Sequence, residues 1–422
     1  MSLGPKTWVN DRLKDVAAVN ASSLPADTDA DYEFNYLEIS NVDYHGIIDP
    51  TAIARLRYED APSRARRRVR ANSSVISSVR PNLQAAAFVA DERADLVCST
   101  GFNVVESRPT RLLPKFAHYV LISENTRQHF EAAATGVGYP AVGDKEFNAL
   151  AIPLPPLSEQ QRIAAYLDAS CAAIDAAIAA KRSQLETLDA LRESIVQRAV
   201  TQGLNPAAKM KPSGLDWVSD VPAHWQVRQI KRTCSLVRGQ FTHRPRNDPA
   251  LYDGPYPFVQ TGDITAAGKY IRSYSQTLNE LGLSVSKQFP RGTLVMSIAA
   301  NIGDVAILDF EACFPDSMIG MIPGPKTNLD FLFYLMRAMR DIMLRSAVQS
   351  TQLNLNYVRI GTNFAPFPPL KEQSAIAEYL DEKERESLMI SKTIASQIAT
   401  LTAFRKSLIH ECVTGQRRID KQ

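Results

Sequence analysis

Cysteine is sparse in this sequence and shows no pairing pattern. Cys98, Cys171, Cys234, Cys313 and Cys412 are scattered over 422 residues, and none sits in a C-x-x-C pair. An odd, dispersed set excludes a disulfide scaffold or zinc module and points to a reducing compartment. No run of 18 apolar residues is present, so the usual signature of a membrane span is missing. The first thirty residues carry Asp11, Asp15, Asp27 and Asp29 and no long apolar core, which argues against a signal peptide. A soluble, cytoplasmic protein is expected. Net charge is only +3, which excludes a histone-like polycation. At 45% hydrophobic and 22% charged residues the chain is not mostly disordered. Its length calls for more than one core.

Catalytic and cofactor motifs are also missing. GDITAAGKY (262–270) has five residues between its first glycine and Gly-Lys, and Tyr270 follows where a phosphate loop needs Ser or Thr. TGVGYPAVG (135–143) misplaces the third glycine of a dinucleotide fingerprint. Ser284-Val-Ser-Lys287 fits S-x-x-K, too short a pattern to carry meaning alone. The six histidines show no H-x-x-x-H or H-E-x-x-H spacing, so no metal site is visible. No Asn/Asp-Pro-Pro-Tyr/Phe tetrapeptide of the amino-methyltransferase type occurs. The expectation is a non-catalytic chain with no cofactor of its own.

What is present is a repeat. Residues 153–168 read PLPPLSEQQRIAAYLD and residues 366–381 read PFPPLKEQSAIAEYLD, an offset of 213 that runs ungapped to about Thr201 and Thr414. The prolines force an extended approach. Ser158, and more weakly Lys371, then precede Glu-Gln in a first helical turn. Beyond them Leu167, Ile174, Lys181, Leu188 and Ile195 step by seven, as do Leu380, Ser387, Ile394, Leu401 and Leu408. Ile178, Leu185, Leu191, Leu388, Ile398 and Phe404 widen the stripe. A helix of about 43 residues would be roughly 65 Å long, too long for one core. Two such helices pack most simply on each other as a coiled coil.

The segments before the helices are related more weakly. Each opens on tryptophan and basic residues (Trp8 to Lys14, Trp225 to Lys231). Each has an extended apolar run, Tyr36–Ser40 or Phe258–Thr261. Each has a strand–turn–strand pattern, VISSVRPNLQAAAFV (75–89) or LVMSIAANIGDVAIL (294–308). The expected layout is an α/β (α+β) globule over 1–152, a long helix over 153–204, a linker and second globule over 205–365, and a second long helix over 366–422, with internal pseudo-twofold symmetry. Residues 203–222 would form the linker.

Local charge supplies the functional candidates. Seven arginines lie between Arg55 and Arg70. Of these Arg64, Arg66, Arg67, Arg68 and Arg70 form the densest cluster, with Arg80 and Asn82 in the following turn. The second globule offers Arg238, Gln240, Thr242, His243, Arg244 and Arg246 in one loop, Asn301 in a turn, and Gln349, Thr351, Gln352 and Asn354 later. Arginine forks suit phosphate and guanine, and amides suit adenine. Crowded like charge costs stability without an anionic partner, so nucleic acid is the expected ligand.

Globule, P-x-P-P-L-x-E-Q-x-x-I-A-x-Y-L-D helix, globule and the same helix again: this order resembles the specificity (S) subunit of Type I restriction–modification systems along essentially the whole chain. VRPNL (79–83), STQLNLN (350–356) and the stretch Pro212 to Trp225 resemble that family too. The two copies differ in their globules, where Ala299-Ala300 replace Arg80-Pro81. The resemblance implies two target-recognition domains, each reading one half of a gapped double-stranded DNA site. It implies paired antiparallel spacer helices that hold the domains apart as a ruler and dock two methyltransferase subunits, and restriction/motor subunits through them. S-adenosylmethionine, ATP and magnesium would belong to those partners. Three alternatives stay open: a coiled-coil scaffold without DNA specificity, which the arginine cluster opposes; a standalone enzyme of unknown chemistry, which the missing motifs oppose; and a specificity subunit of a different methyltransferase–nuclease assembly.

Overall fold

The computed structural model describes residues 5, 7–42, 46, 48–49, 51–79, 85–90, 95–136, 140–299, 301–346 and 357–419. Its contacts group into two compact units, Met1–Arg182 with Ala395–Gln422, and Ser183–Ile394. Each unit therefore takes one globule and part of both long helices.

In the first unit, Val9–Arg12 pairs antiparallel with Ala151–Leu154. The N-terminal segment thus lies beside the strand that leads into the first long helix. An antiparallel sheet runs in the order Ala17–Val19, Phe102–Ser107, Ser73–Ser77, Ala86–Val89. A second sheet runs Ala54–Arg57, Glu33–Leu37, Leu96–Ser99, Ala65–Arg68, with its central pair parallel. The expected strand–turn–strand forms here, with Val75 opposite Ala87. Its turn residues Arg80 and Asn82 lie outside the described residues. Ser73–Ser77 is buried along its whole length, so its valine and isoleucine serve packing on both faces.

The second unit repeats the plan. Gln226–Gln229 pairs with Phe364–Phe367. One sheet runs Cys234–Arg238, Met318–Pro323, Leu294–Ser297, Val305–Leu308, Tyr270–Ile271, and another Gln276–Leu278, Tyr252–Phe258, Ala312–Cys313, Gln288–Phe289. Val295 faces Ala306 in the second strand–turn–strand. The apolar runs at Tyr36 and Phe258 end sooner than expected: a helical turn follows at Ile39–Asn41 and at Thr261–Ala266, each closed by a capping box. The expected linker also folds, as a hairpin of Met210–Leu215 with Val218–Pro222.

The long helices are Leu157–Gln202 and Leu370–Val413. They start at the leucine before Ser158 and Lys371, so neither residue is the cap. Within the first unit Asp175 meets Arg405 and Tyr166 meets Arg417, an antiparallel pairing. Within the second, Arg192 meets Glu384 and Gly203 meets Glu372 in the same sense. Leu167, Ile174, Ile178 and Leu408 are buried in the first unit, and Leu380 and Ile394 are buried as well. Leu188, Ile195 and Leu401 are half-buried. Leu191, Leu388 and Phe404, expected to widen the buried stripe, are instead 53%, 53% and 50% exposed. A two-helix contact shields only a narrow seam, and these residues flank it. By length and composition alone the first long helix is apolar enough to cross a membrane, although it holds no unbroken run of 18 apolar residues. Its Asp168 and Asp175, however, bind Tyr119 and Arg405 within the protein.

The repeat motif has a structural cause. Gln160 and Gln373 are 0% and 1% exposed. The Gln160 amide donates to the carbonyls of Pro155 (2.9 Å) and Arg111 (2.9 Å) and accepts from the Leu113 N–H (2.8 Å). The Gln373 amide donates to Pro368 (2.9 Å) and Lys326 (3.1 Å) and accepts from the Asn328 N–H (2.8 Å). Each glutamine therefore ties the proline turn to the start of a globule helix, Pro114–Leu121 or Leu329–Ala338. Tryptophan completes each junction. Gly203 (φ +73°) packs against Trp225 and Gly415 (φ +70°) against Trp8, so each helix ends in a left-handed glycine under an indole.

Two predictions follow from this packing. Gln160→Ala or Gln373→Ala leaves three buried backbone groups unpaired and should destabilise its unit by about 1–3 kcal/mol; an unchanged denaturation midpoint would contradict the assignment. His118 gives a pH dependence. Burial, then the nearby Lys115 and Arg405, push it down to about 3, opposed only by Asp168. Its Nδ1 lies 3.3 Å from the Ser74 hydroxyl, and its ring packs on Phe88 and Tyr119. The unfolded histidine takes up a proton that the folded one refuses. First-unit stability should therefore fall as pH drops from about 6.5 toward 3. His118→Gln should flatten that slope in acid denaturation curves.

Candidate nucleic-acid interface

Most of the arginine cluster is compensated by acids, some adjacent and some distant in sequence. Arg55 pairs with Glu33 at 2.7 Å, Arg57 with Glu59 at 2.8 Å and Asp60 at 3.0 Å, Arg64 with Glu38 at 2.6 Å, and Arg70 with Glu106 at 3.7 Å. Arg66, Arg67 and Arg68 lie on the edge strand Ala65–Arg68. Strand alternation sends Arg67 to the opposite face from its neighbours. Its guanidinium donates to the Phe102 carbonyl and to Asn103 Oδ1 (2.9 Å). Asn103 is 1% exposed and also accepts from Asn20 (2.8 Å). Burial lowers the pKa of Arg67. Arg67, expected to contact DNA, is thus a bracket for the core polar network.

Arg66 and Arg68 have no acidic partner among the described residues. Arg66 lies 4.7 Å from the centre of the Tyr58 ring and Arg68 6.0 Å from that of Tyr32. A guanidinium over an aromatic face keeps edge donors available; Arg66 spends one of its own on the Ala65 carbonyl at 3.0 Å. Tyr32 is fixed by a 2.9 Å bond from its hydroxyl to Asp95. The two tyrosines were not singled out by the sequence, because nothing in their spacing links them to the cluster.

The second unit gathers its candidates around one acid. Arg246 pairs with Asp316 at 2.5 Å, Arg244 lies 3.9 Å from the same carboxylate, and Arg238 donates to the Asp316 carbonyl at 2.7 Å. His243 pairs with Asp248 at 3.0 Å. Thr242 bonds Val285, and Gln240 is exposed, its carbonyl accepting from Ser286. Gly239 has no room for a side chain, since a Cβ would strike Phe314 and Pro315. Asn301 stands on a separate turn, its amide donating to Thr265 at 2.8 Å. Gln349, Thr351, Gln352 and Asn354 lie outside the described residues.

The motifs set aside earlier have other uses. Lys269, the lysine of the phosphate-loop look-alike, pairs with Asp330 and Asp381. The Ser284 hydroxyl donates to the Leu281 carbonyl, and Lys287 lies over the Phe289 ring. All five cysteines are buried and unpaired. Burial raises the Cys98 and Cys234 thiols to about 12 and Cys412 to about 11, so none is a ready nucleophile. Among the described residues no group of three His, Cys, Asp or Glu side chains could hold a metal.

Two units of one plan, sharing two long helices and differing in their basic groups, define a duplicated modular protein of mixed helix and sheet. The family model described as Type I restriction modification DNA specificity domain matches residues 5–187 and 222–400. The chain belongs to this family, that of the specificity (S) subunits of type I restriction–modification systems. It is 24% identical to the type I restriction enzyme MjaVIII specificity subunit of Methanocaldococcus jannaschii, over 71% of this chain and 70% of the relative. It is 20% identical to the HindI specificity subunit of Haemophilus influenzae, over 91% of each. Its fold is similar to a chain from a study of type I R-M complex assembly and conformational transition, with a TM-score of 0.78 and 21% identity over 98% of this chain and 99% of that one. It is also similar to the HsdS subunit from Thermoanaerobacter tengcongensis, with a TM-score of 0.56 and 21% identity over 98% of each.

Removing Arg66 and Arg68 together should weaken DNA binding about equally on all sequences and reduce the slope of log affinity against log salt by about 1–2. Arg67→Ala should instead lower the melting temperature, since it strips partners from Asn103. Salt-series binding with thermal unfolding separates them. An unchanged slope in the double variant, or a stable Arg67→Ala protein with a reduced slope, would reverse the assignment.

Proposed function

We propose that this chain reads a split, double-stranded DNA target and brings partner subunits to it, while doing no chemistry itself. One observation carries the reading: the two units share a frame but present different basic groups. Arg66 and Arg68 stand on tyrosines in one, and Arg238, Arg244 and Arg246 gather at Asp316 in the other. Each unit would act as a target-recognition domain for one half-site, and the halves would differ in sequence. Arg64, Arg70, Gln240, Thr242, His243 and Asn301 remain candidates for phosphate or base contact. So do the positions outside the described residues, and the separate bearing of each is set by docking.

The long helices would form a coiled-coil ruler that sets the number of unread base pairs. They would also dock two methyltransferase subunits. Support comes from the apolar side chains they leave uncovered: Leu191, Leu388, Met389 and Ile390 are 53%, 53%, 64% and 48% exposed. Leu191 and Ile390 line one groove, and contiguous exposed apolar surface of that kind fits an interface. Restriction/motor subunits would join through the methyltransferase subunits. S-adenosylmethionine, ATP and magnesium would reside on those partners, and the chemistry would be adenine methylation or cleavage of unmodified DNA. Five free buried thiols fit a cytoplasmic setting.

The direct test is modified-base sequencing of DNA from cells that express the cognate methyltransferase subunit with and without this chain. A gapped motif of methylated adenines should appear only with it. Copurification of the subunits with no new motif would leave a scaffold, and the reading would fall.

A further inference from the structure

The glutamine junction is only half of the attachment between each globule and its helix. Eight residues further along each long helix, on the same face, stands an aspartate. Asp168 accepts from the Tyr119 hydroxyl at 2.7 Å and from Lys115 at 3.3 Å. Asp381 accepts from the Tyr334 hydroxyl at 2.6 Å and from Lys269 at 2.5 Å. The phenol rings are 6% and 1% exposed. Both tyrosines belong to the same globule helices whose starts the glutamines hold. Each globule helix is therefore gripped at two points about 12 Å apart along the long helix. One grip alone would be a pivot, and two fix a bearing.

We propose that Asp168 and Asp381 are positioning residues that stop each globule from swivelling on its helix and so confine the complex to a single gap between half-sites. This rests on the bipartite reading above. The magnitudes support it. A swivel of about 6° across a domain of roughly 30 Å moves its far edge by about 3 Å, close to the ~3.4 Å rise of one base pair. A loosened grip thus costs register by one step before it costs recognition.

The two grips are unequal. In the second unit Lys269 also pairs with Asp330 at 2.7 Å, tying in a third segment. Arg337, three residues past Tyr334, binds Glu193 and Glu384 at 2.6 Å each. Three residues past Tyr119 stands Ile122, which has no charge to offer. The first unit should therefore be the looser when its aspartate bond is lost.

The test uses the full chain assembled with its methyltransferase subunits, on DNA carrying both half-sites at a series of gap lengths. Tyr119→Phe and Tyr334→Phe keep the rings and remove only the bonds; Asp168→Asn and Asp381→Asn weaken the acceptor. Methylation at gaps one base pair shorter or longer should rise at least fivefold relative to the preferred gap, more for the first-unit variants, with half-site sequences unchanged. Slower methylation at the same single gap would show a purely structural role and overturn the proposal. If the unaltered complex shows no dependence on a second half-site, the bipartite reading itself fails. Should the aspartate variants not assemble, the Tyr→Phe pair carries the test alone.

Discussion

A buried primary amide has to be satisfied at both ends, and that requirement organises each unit. Gln373 reaches back to the carbonyl of Pro368, out to that of Lys326, and receives the N–H of Asn328. Those bonds form only if a proline turn, a long helix and a globule helix meet at one point. Losing any one leaves a polar group in an apolar site, at a cost greater than the bond's net worth. The neighbouring Glu372 adds a bond from the Trp225 indole at 3.0 Å. Strand pairing between Gln226–Gln229 and Phe364–Phe367 closes the same corner. The frame of a unit is thus set by a few directional contacts at the base of its helix, and loops elsewhere can vary without disturbing it.

Charge is handled in the opposite manner, at the surface and by compensation. Seven arginines in sixteen positions suggest a strongly positive face. Yet Glu33, Glu38, Glu59, Asp60 and Glu106 neutralise four of them, and Arg67 turns inward. The remaining pair, Arg66 and Arg68, is held out over aromatic rings rather than against acids. Arginine density is therefore a poor measure of what reaches a phosphate. What counts is the number of cations whose charge no carboxylate has claimed.

The repeat, the two helices and the strand–turn–strand patterns were legible because each is local or rests on identical residues at a fixed offset. The long-range pairings were not. Arg55 with Glu33 and Arg64 with Glu38 are separated by 22 and 26 residues, with no motif to join them. Arg67 could have been suspected, since alternate residues on an edge strand face opposite ways. That inference needs the strand to be known first. Leu191 and Leu388 were misplaced for a simpler reason: a seven-residue step marks a seam but not its width. The folded hairpin at 210–222 was masked by its prolines and glycine, which read as a linker.

Frame and face also differ in how they respond to solution conditions. Gln160 and Gln373 are buried, as are the Tyr119 and Tyr334 side chains that reach Asp168 and Asp381, and salt screens such neutral donors little. The ion pairs around Asp316 and along the arginine strand are partly exposed and individually weak. Rising salt therefore weakens these surface pairs, and under the proposed function any phosphate contact, while the bearing of each globule on its helix persists. Under the proposed function, a protein that searches a polyanion while keeping a measuring geometry needs that separation. On that reading, the contacts that define distance are the buried amide and phenol bonds rather than the exposed ion pairs.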